Sequence, residues 1–439
     1  MSRIMMIGTG YVGLVSGACL ADFGNKVVCY DIDRKKIEGL ERGRIPFFEP
    51  GLEEMVVRNR DLGRLRFSTD LESCVAESSV IFIAVGTPEQ DDGSADLSAV
   101  FAVAEDIGRT MSGFKVVVQK STVPVGTTRK LGRVISEAAG EGAEFELVSN
   151  PEFLREGSAI DDFLRPNRVV FGFSGPRATE IVEEIYHPLY SDGTPILSTT
   201  LESAEMVKYA SNAFLATKVS FINEVAELCE RVGADVQVVA RGMGMDTRIG
   251  AKFLHAGTGF GGSCFPKDTI ALVKMGDAFG VNMSLVKSTI GANERQSRRA
   301  VGKLKKLCGG SLAGLRIAVL GLSFKPNTDD VREASALKII QGLWDEGASV
   351  VAYDPVAGEN AKRAMPDLEL AENAESCIKG ADGLVLATEW SEFRLLDLAR
   401  VASLLKGKRI VDCRNIYRPE QMEELGIAYE SFGRRPVDA

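Results

Sequence analysis

Along the N-terminal part of the chain, short apolar runs alternate with amphipathic stretches. The runs are RIMMIG, KVVCYDID, VIFIAVGTP, KVVVQKSTVP, FELVSNPEF and RVVFGF, each bounded by Gly, Pro, Asn or Asp. β-rich runs separated by helical periodicity predict a mostly parallel sheet. Near residue 200 the texture changes. From Ser203 to Val232 there is no Gly or Pro, and SAEMVKYASNAFLATKVSFINEVAELCERV reads as one helix of about eight turns. After Ala300 the strand pattern returns in LRIAVLG, SVVAYDP, GLVLATEW and RIVDCRNIY. Each half opens with a basic residue, a hydrophobic strand and a glycine turn, and each has a later strand ending in an aspartate, Asp31 and Asp354. The economical fold is α/β, with two Rossmann-like doubly wound parallel-sheet domains joined by a long central helix. The expected boundaries are 1–200, 201–300 and 301–439.

Composition narrows the partners. With 439 residues, 45% hydrophobic and 26% charged, the chain has ample apolar surface for two or three domains. A net charge of -9 argues against nucleic acid or an anionic membrane as partner, because both select basic faces. The apolar start MSRIMMIGTGYVGLVSGACLADFG carries one Arg and is broken by Gly8, Gly10, Gly13 and Gly17, which is unlike a secretory signal. No apolar run reaches the roughly 20 residues of a membrane span, so a cytoplasmic location is expected. Eight cysteines are scattered without a CxxC pair or metal-ligand spacing, and no metal is expected. Only two histidines, His187 and His255, are available, so catalysis must lean on Cys, Lys, Asp and Glu.

Five segments carry candidate chemistry. Gly8, Gly10 and Gly13 in IGTGYVG fit GxGxxG between a strand and a helix, with Asp31 ending the next strand, 23 residues after Gly8. Glycines there permit a tight turn, approach to a pyrophosphate and close helix packing, and the aspartate favours NAD over NADP. In GTGFGGSCFPKD, residues 257–268, glycines crowd Cys264 just before a helix start expected at Pro266. A thiol at a helix N-terminus has its thiolate favoured, so Cys264 is a candidate nucleophile, whereas the other seven read as small buried hydrophobes. Lys208 and Asn212 lie one helical turn apart and can aim an ammonium and an amide at one oxyanion, although alone such a pair is more often a solvated face. STVPVG (121–126) and NPEFLREG (150–157) follow strands, so Thr122, Glu152 and Glu156 fall where ligands bind an open parallel sheet. SFKPNTDDVRE, residues 323–333, offers Lys325 and Arg332 to phosphates, or is simply a charged loop.

This ordered set resembles the UDP-glucose/GDP-mannose dehydrogenase family over nearly the whole chain. IGTGYVGL, GTP at 86–88, STVPVGT, NPEFLREG, KYASNAFLA, MDTRIG, GFGGSCFPKD, FKPNTDDVREAS and DCRN at 412–415 fall in the family's order. The resemblance implies NAD at Gly8, Gly10, Tyr11, Val12, Gly13, Asp31, Lys36, Thr87, Thr122, Glu156 and Arg332. It implies nucleotide-sugar contacts from Glu152, Phe153, Leu154, Lys208, Asn212, Phe253, Gly257, Gly261, Lys325 and Arg414, with Arg248 reaching a neighbouring subunit of a homodimer or higher homo-oligomer. Cys413 stands where the family usually has glycine, which makes Arg414 the least secure of these. By the same resemblance, 1–200 binds NAD, 201–300 carries the cysteine loop and the dimer interface, and 301–439 binds UDP.

The implied reaction is a four-electron oxidation of the C6 alcohol of UDP-glucose to UDP-glucuronate through a thiohemiacetal and a thioester on Cys264. Lys208 and Asn212 would steady oxyanions and Asp268 would assist proton transfer or hold a water. Thr122 and Glu152 would sit near the reacting water, with Glu152 a base for thioester hydrolysis. An aldehyde must gain a nucleophile before it can again donate hydride, which is why a cysteine is needed. GDP-mannose or a UDP-N-acetylhexosamine remains an alternative substrate, as do a two-electron hydroxyacid dehydrogenase and a non-catalytic nucleotide-binding module.

Overall fold

The computed structural model describes residues 2–438. They divide into two compact units, the first ending at Ser211 and the second beginning at Asn212.

The first unit is built on an eight-stranded sheet of β1 (Arg3–Ile7), β2 (Lys26–Tyr30), β3 (Leu65–Ser68), β4 (Val80–Ile83), β5 (Lys115–Gln119), β6 (Phe145–Ser149), β7 (Val169–Phe173) and β8 (Ile196–Thr199). Their order is β3-β2-β1-β4-β5-β6-β7-β8. All neighbours are parallel except β6 and β7, which run antiparallel. Alternation along β1 sends Ile4 and Met6 into the core on one face, and Met5 and Ile7 into the core on the other. That two-sided burial explains why the run is continuously apolar.

The second unit holds a six-stranded, wholly parallel sheet of β9 (Arg316–Leu320), β10 (Ser349–Tyr353), β11 (Glu369–Leu370), β12 (Gly383–Leu386), β13 (Arg409–Asp412) and β14 (Ala428–Ser431). Its order is β11-β10-β9-β12-β13-β14, the same winding as the first six strands of the other sheet. In β9, Ile317 and Val319 face one core while Ala318 and Leu320 face another. The strand order reverses between β1 and β4 in one sheet and between β9 and β12 in the other. At such a switch point the loops diverge and leave a crevice beyond the carboxyl ends of the strands.

The expected long helix is present as Leu201–Val232, and the division between the units falls inside it. No helix among the described residues is long and apolar enough to cross a membrane.

Candidate active site

In the first unit the crevice begins at the turn after β1. Gly8 has φ 97°, and a Cβ there would lie 2.6 Å from the Ala84 carbonyl oxygen. A Cβ on Gly13 would lie 2.0 Å from the Gly8 carbonyl oxygen, so the helix Tyr11–Asp22, which contains Val12, packs directly on the turn. A Cβ on Gly10 would meet nothing within 4 Å. Gly10 caps that helix without a side-chain bond and no acid occupies the first turn, so free N–H groups face open space that suits a pyrophosphate. Asp31 Oδ2 accepts from the Thr9 N–H (2.9 Å), the Thr9 hydroxyl (2.7 Å) and Lys36 Nζ (2.9 Å), while Oδ1 accepts from the Asp33 N–H (3.0 Å). Burial pushes the Asp31 carboxyl up, but the N–H groups of Asp33 and Thr9 and the Lys36 ammonium hold it below its ordinary value. It therefore stays an anion, ready to accept from ribose hydroxyls. This open, glycine-lined turn with its carboxylate fits NAD.

Further along the same crevice, Thr87 donates its hydroxyl to the Thr122 carbonyl (3.0 Å), joining the loops after β4 and β5. Tyr11 bonds Glu49, and both accept from the Gly157 N–H, at 3.0 and 2.6 Å, fixing the NPEFLREG loop and bringing Glu156 into the field of Tyr11. Glu152 is buried and accepts from Lys208 Nζ (2.9 Å) and the Leu154 N–H (2.6 Å). Burial alone raises its carboxyl, but the charge and hydrogen bond of Lys208, the Leu154 N–H and Lys120 bring it below its ordinary value. Phe153 packs its ring 5.3 Å from Lys208 Nζ and under the Arg168 guanidinium.

In the second unit, Cys264 is the N-cap of the helix Phe265–Ala278 and is half-buried. The helix thus starts one residue before Pro266. Its first-turn acid, Asp268, is buried and accepts from Asn212 Nδ2 (2.7 Å) and Lys267 Nζ (2.5 Å). Ser263 Oγ lies 3.6 Å from the Cys264 sulfur. Burial pushes the other seven thiols up, Cys29 and Cys377 to about 12, so these are poor nucleophiles.

The glycines ahead of Cys264 are there for close approach. A Cβ on Gly257 would lie 2.5 Å from the Cys413 carbonyl oxygen, and one on Gly261 would lie 2.3 Å from that of Glu333. The loop therefore seats against both DCRN and SFKPNTDDVRE, bringing Phe253, whose φ is 64° and whose ring is 5.9 Å from Phe265, into the same neighbourhood. Lys325 Nζ lies 5.3 Å from the Phe324 ring. Arg414 is held by the Ala387 carbonyl (2.7 Å), the Phe324 carbonyl (3.2 Å) and Glu389 (3.1 Å). Cys413 is buried, and Arg414 is anchored beside it by protein groups. The side chains of two expected contacts turn to acids of their own loops: Arg248 and Arg332 are exposed, and each grips an aspartate two residues earlier, Asp246 and Asp330, although the Arg332 carbonyl accepts from the Gly262 N–H (3.0 Å) of the cysteine loop.

Comparison with known proteins decides the family. Residues 2–190, 202–295 and 318–419 match, respectively, the NAD binding domain, the central domain and the UDP binding domain of the UDP-glucose/GDP-mannose dehydrogenase family. The chain belongs to that family. As a UDP-glucose/GDP-mannose dehydrogenase family member it is an NAD-dependent oxidoreductase. It is 52% identical over 435 residues to a UDP-glucose 6-dehydrogenase of Rhizobium meliloti, covering 98% of this chain and 99% of that one. It is 49% identical to a Bacillus subtilis UDP-glucose 6-dehydrogenase, covering 100% and 94%. Among solved structures, a UDP-glucose dehydrogenase from Pyrobaculum islandicum superposes with a TM-score of 0.90 at 42% identity, covering 95% of each chain.

Several residues in this family member's clusters gave no sequence signal. Glu49 clamps Gly157 and accepts from the Ala159 N–H (2.7 Å). Buried Glu205 accepts from the N–H groups of Gly126 (2.6 Å) and Thr128 (2.8 Å), tying the STVPVG loop to the long helix. Asn223 accepts from the Gly257 N–H (2.8 Å), and Asn293 both accepts from the Phe260 N–H (2.8 Å) and donates to its carbonyl (3.0 Å).

Proposed function

We propose that this enzyme oxidises the C6 alcohol of UDP-glucose to UDP-glucuronate, consuming two NAD and one water per sugar, through a thioester on Cys264. The observation that carries the reading is the Cys264 turn. A half-buried cysteine occupies the N-cap position of a helix, beside an acid held by Lys267 and Asn212. UDP-glucose is favoured over GDP-mannose or a UDP-N-acetylhexosamine by the names of the two relatives that are 52 and 49% identical to this chain.

Bound NAD supplies the hydride acceptor twice, for the alcohol and then for the thiohemiacetal. It is held at the Gly8–Gly13 turn by the helix N–H groups, by Asp31 and Lys36, and by Thr87, Thr122, Glu156 and Arg332. Cys264 adds to the C6 aldehyde, so that its carbon again carries a hydrogen that can leave as hydride. Lys208 and Asn212, one turn apart, donate to the oxygen as it gains charge, and Asp268 relays the proton. Glu152 then takes a proton from water, whose oxygen displaces the Cys264 sulfur and releases the acid. Phe253, Gly257, Gly261, Lys325 and Arg414 hold the nucleotide sugar. In this assignment 1–200 serves NAD, 201–300 the covalent chemistry and 301–439 UDP, in the cytoplasm.

Counting NADH formed per sugar, with UDP-glucose, UDP-N-acetylglucosamine, UDP-N-acetylmannosamine and GDP-mannose as substrates, tests this reading. Two NADH per UDP-glucose, with the others inert, is expected. One NADH per sugar would mean that the aldehyde escapes, and turnover confined to another sugar would overturn the substrate.

A homodimer belongs to the same reading. Phe214, Phe221 and Leu228 recur every seven residues on the long helix and are 66, 50 and 60% exposed. Such a seam suits a second copy, which would then bring its Arg248 to this chain's substrate. Light scattering at micromolar concentration should give twice the chain mass, and a monomer there would remove this element.

A further inference from the structure

Lys120 opens the loop after β5 and is buried. An ammonium has three donors to satisfy, yet among the described residues Lys120 makes one hydrogen bond, to Asn150 Oδ1 at 2.9 Å, with the Phe163 ring 5.8 Å away. Asn150 is itself fixed, donating to the Val170 carbonyl (3.0 Å) and accepting from the buried Tyr186 hydroxyl (3.1 Å). An uncharged side chain would fill this space at far smaller desolvation cost. The charge therefore asks for a counter-charge. The titratable groups that face Lys120 are Glu152 from the loop after β6, Lys208 from the long helix, and Cys19 from the helix Tyr11–Asp22. The only carboxylate among them is Glu152.

We propose that Lys120 is a positioning residue for Glu152: held by Asn150, which Tyr186 in turn fixes, its ammonium keeps the buried carboxylate ionised through its field and so sets the pH range over which the thioester is hydrolysed. This rests on the reading of Glu152 as the hydrolytic base. Of the two ammonium groups, Lys208 is the one hydrogen-bonded to Glu152 and is itself expected to turn to the substrate oxygen; the second ammonium maintains the field when it does. Burial pushes Lys120 down to about 8, with Glu152 opposing the fall, so it remains cationic at neutral pH where the base must work.

The sign follows. A base acts only when deprotonated, and removing a nearby positive charge raises a carboxyl. In Lys120→Met, the acid limb of the hydrolysis rate should therefore move up by about one pH unit. Below both limbs the rate falls about tenfold, while the plateau above them and the first hydride step are unchanged. Lys120→Gln, which keeps a donor for Asn150 Oδ1 and removes the charge, should move the limb the same way, and Lys120→Arg should leave it in place. Single-turnover acid release by the full chain with UDP-glucose and NAD, followed across pH, reads all three. A merely structural Lys120 would lower the plateau and leave the limb where it was. An unmoved limb in both Lys120→Met and Lys120→Gln would overturn the proposal, and Lys120→Gln decides alone where Lys120→Met does not fold. Glu152→Gln separates the underlying reading: if it hydrolyses the thioester at the wild-type rate, Glu152 is not the base, and if it stalls there while the limb stays fixed in the other variants, only the role of Lys120 fails.

Discussion

The two sheets share one winding, yet their first turns are built for different tasks. After β1 the chain needs only Gly8, Thr9 and Gly10 before the helix at Tyr11. After β9 the next helix begins at Ser335, and the intervening loop holds Lys325 and Arg332. Both turns begin with a glycine of positive φ, Gly8 at 97° and Gly321 at 92°. Each is followed by an aspartate at the end of the next strand, but the two carboxylates are used differently. Asp31 bonds two groups of Thr9, one N–H of its own turn and the partly exposed Lys36 ammonium. Asp354 is saturated by the N–H groups of Leu322, Ser323, Val356 and Ala357, the Ser323 hydroxyl and the Trp390 indole. Duplicate topology has thus left a short helix-capping turn in one unit and a long, internally braced loop in the other. The fold supplies the crevice, and the loop chemistry decides what fills it.

The largest expected effect separates packing from ligand space in the first turn. Gly13→Ala places a methyl 2.0 Å from a backbone oxygen that cannot rotate away. It should lower stability by about 3 kcal/mol and weaken NAD binding more than tenfold. Gly10→Ala meets nothing within 4 Å and should fold with the wild-type thermal midpoint, yet bind NAD about tenfold more weakly, since its methyl occupies space beside the helix N-terminus. Thermal melts and NAD titration check both. If Gly13→Ala melted and bound NAD like the wild type, the account of the turn would be wrong.

How much of this was readable in advance depended on how local the signal is. All ten apolar runs contain a strand, because two-sided burial writes itself as consecutive apolar residues. β3, β8, β11 and β14 escaped notice. β8 and β11 are short strands with little buried surface, and β14 buries Glu430 and Ser431 rather than an apolar run. Glu430 is tolerated there because Lys303 and Lys306 reach it. The reversed direction of β7 was equally hidden, since RVVFGF looks the same in either sense. At the site, Cys264 and the β1 turn stood out through clustered glycines. Glu49, Lys120, Glu205 and Asn293 did not, because each is a single polar residue whose partners lie far along the chain and come close only through folding.

The two aspartates give the last and smaller contrast. Asp354→Ala removes the acceptor of six donors, five of them buried, and should destabilise the protein by about 2 kcal/mol or more at neutral pH. Asp31→Asn should have the milder effect on stability, because fewer donors depend on it, but should weaken NAD about tenfold through the ribose hydroxyls. Its pH dependence carries a definite sign. Burial favours the protonated acid, but the N–H groups of Asp33 and Thr9 and the Lys36 ammonium outweigh it, so the native carboxyl lies below its ordinary value of about 3.9. A carboxyl lowered on folding stabilises the native state above its unfolded value, and that contribution is lost as pH falls through the native one. The difference in unfolding free energy between wild type and Asp31→Asn should therefore be constant from neutral pH down to about 4 and shrink on further acidification. Denaturant unfolding across that range measures it directly. A difference that stayed constant into strong acid would mean that the Asp31 charge does not contribute to holding the turn, and that its hydrogen bonds would serve as well from a neutral amide.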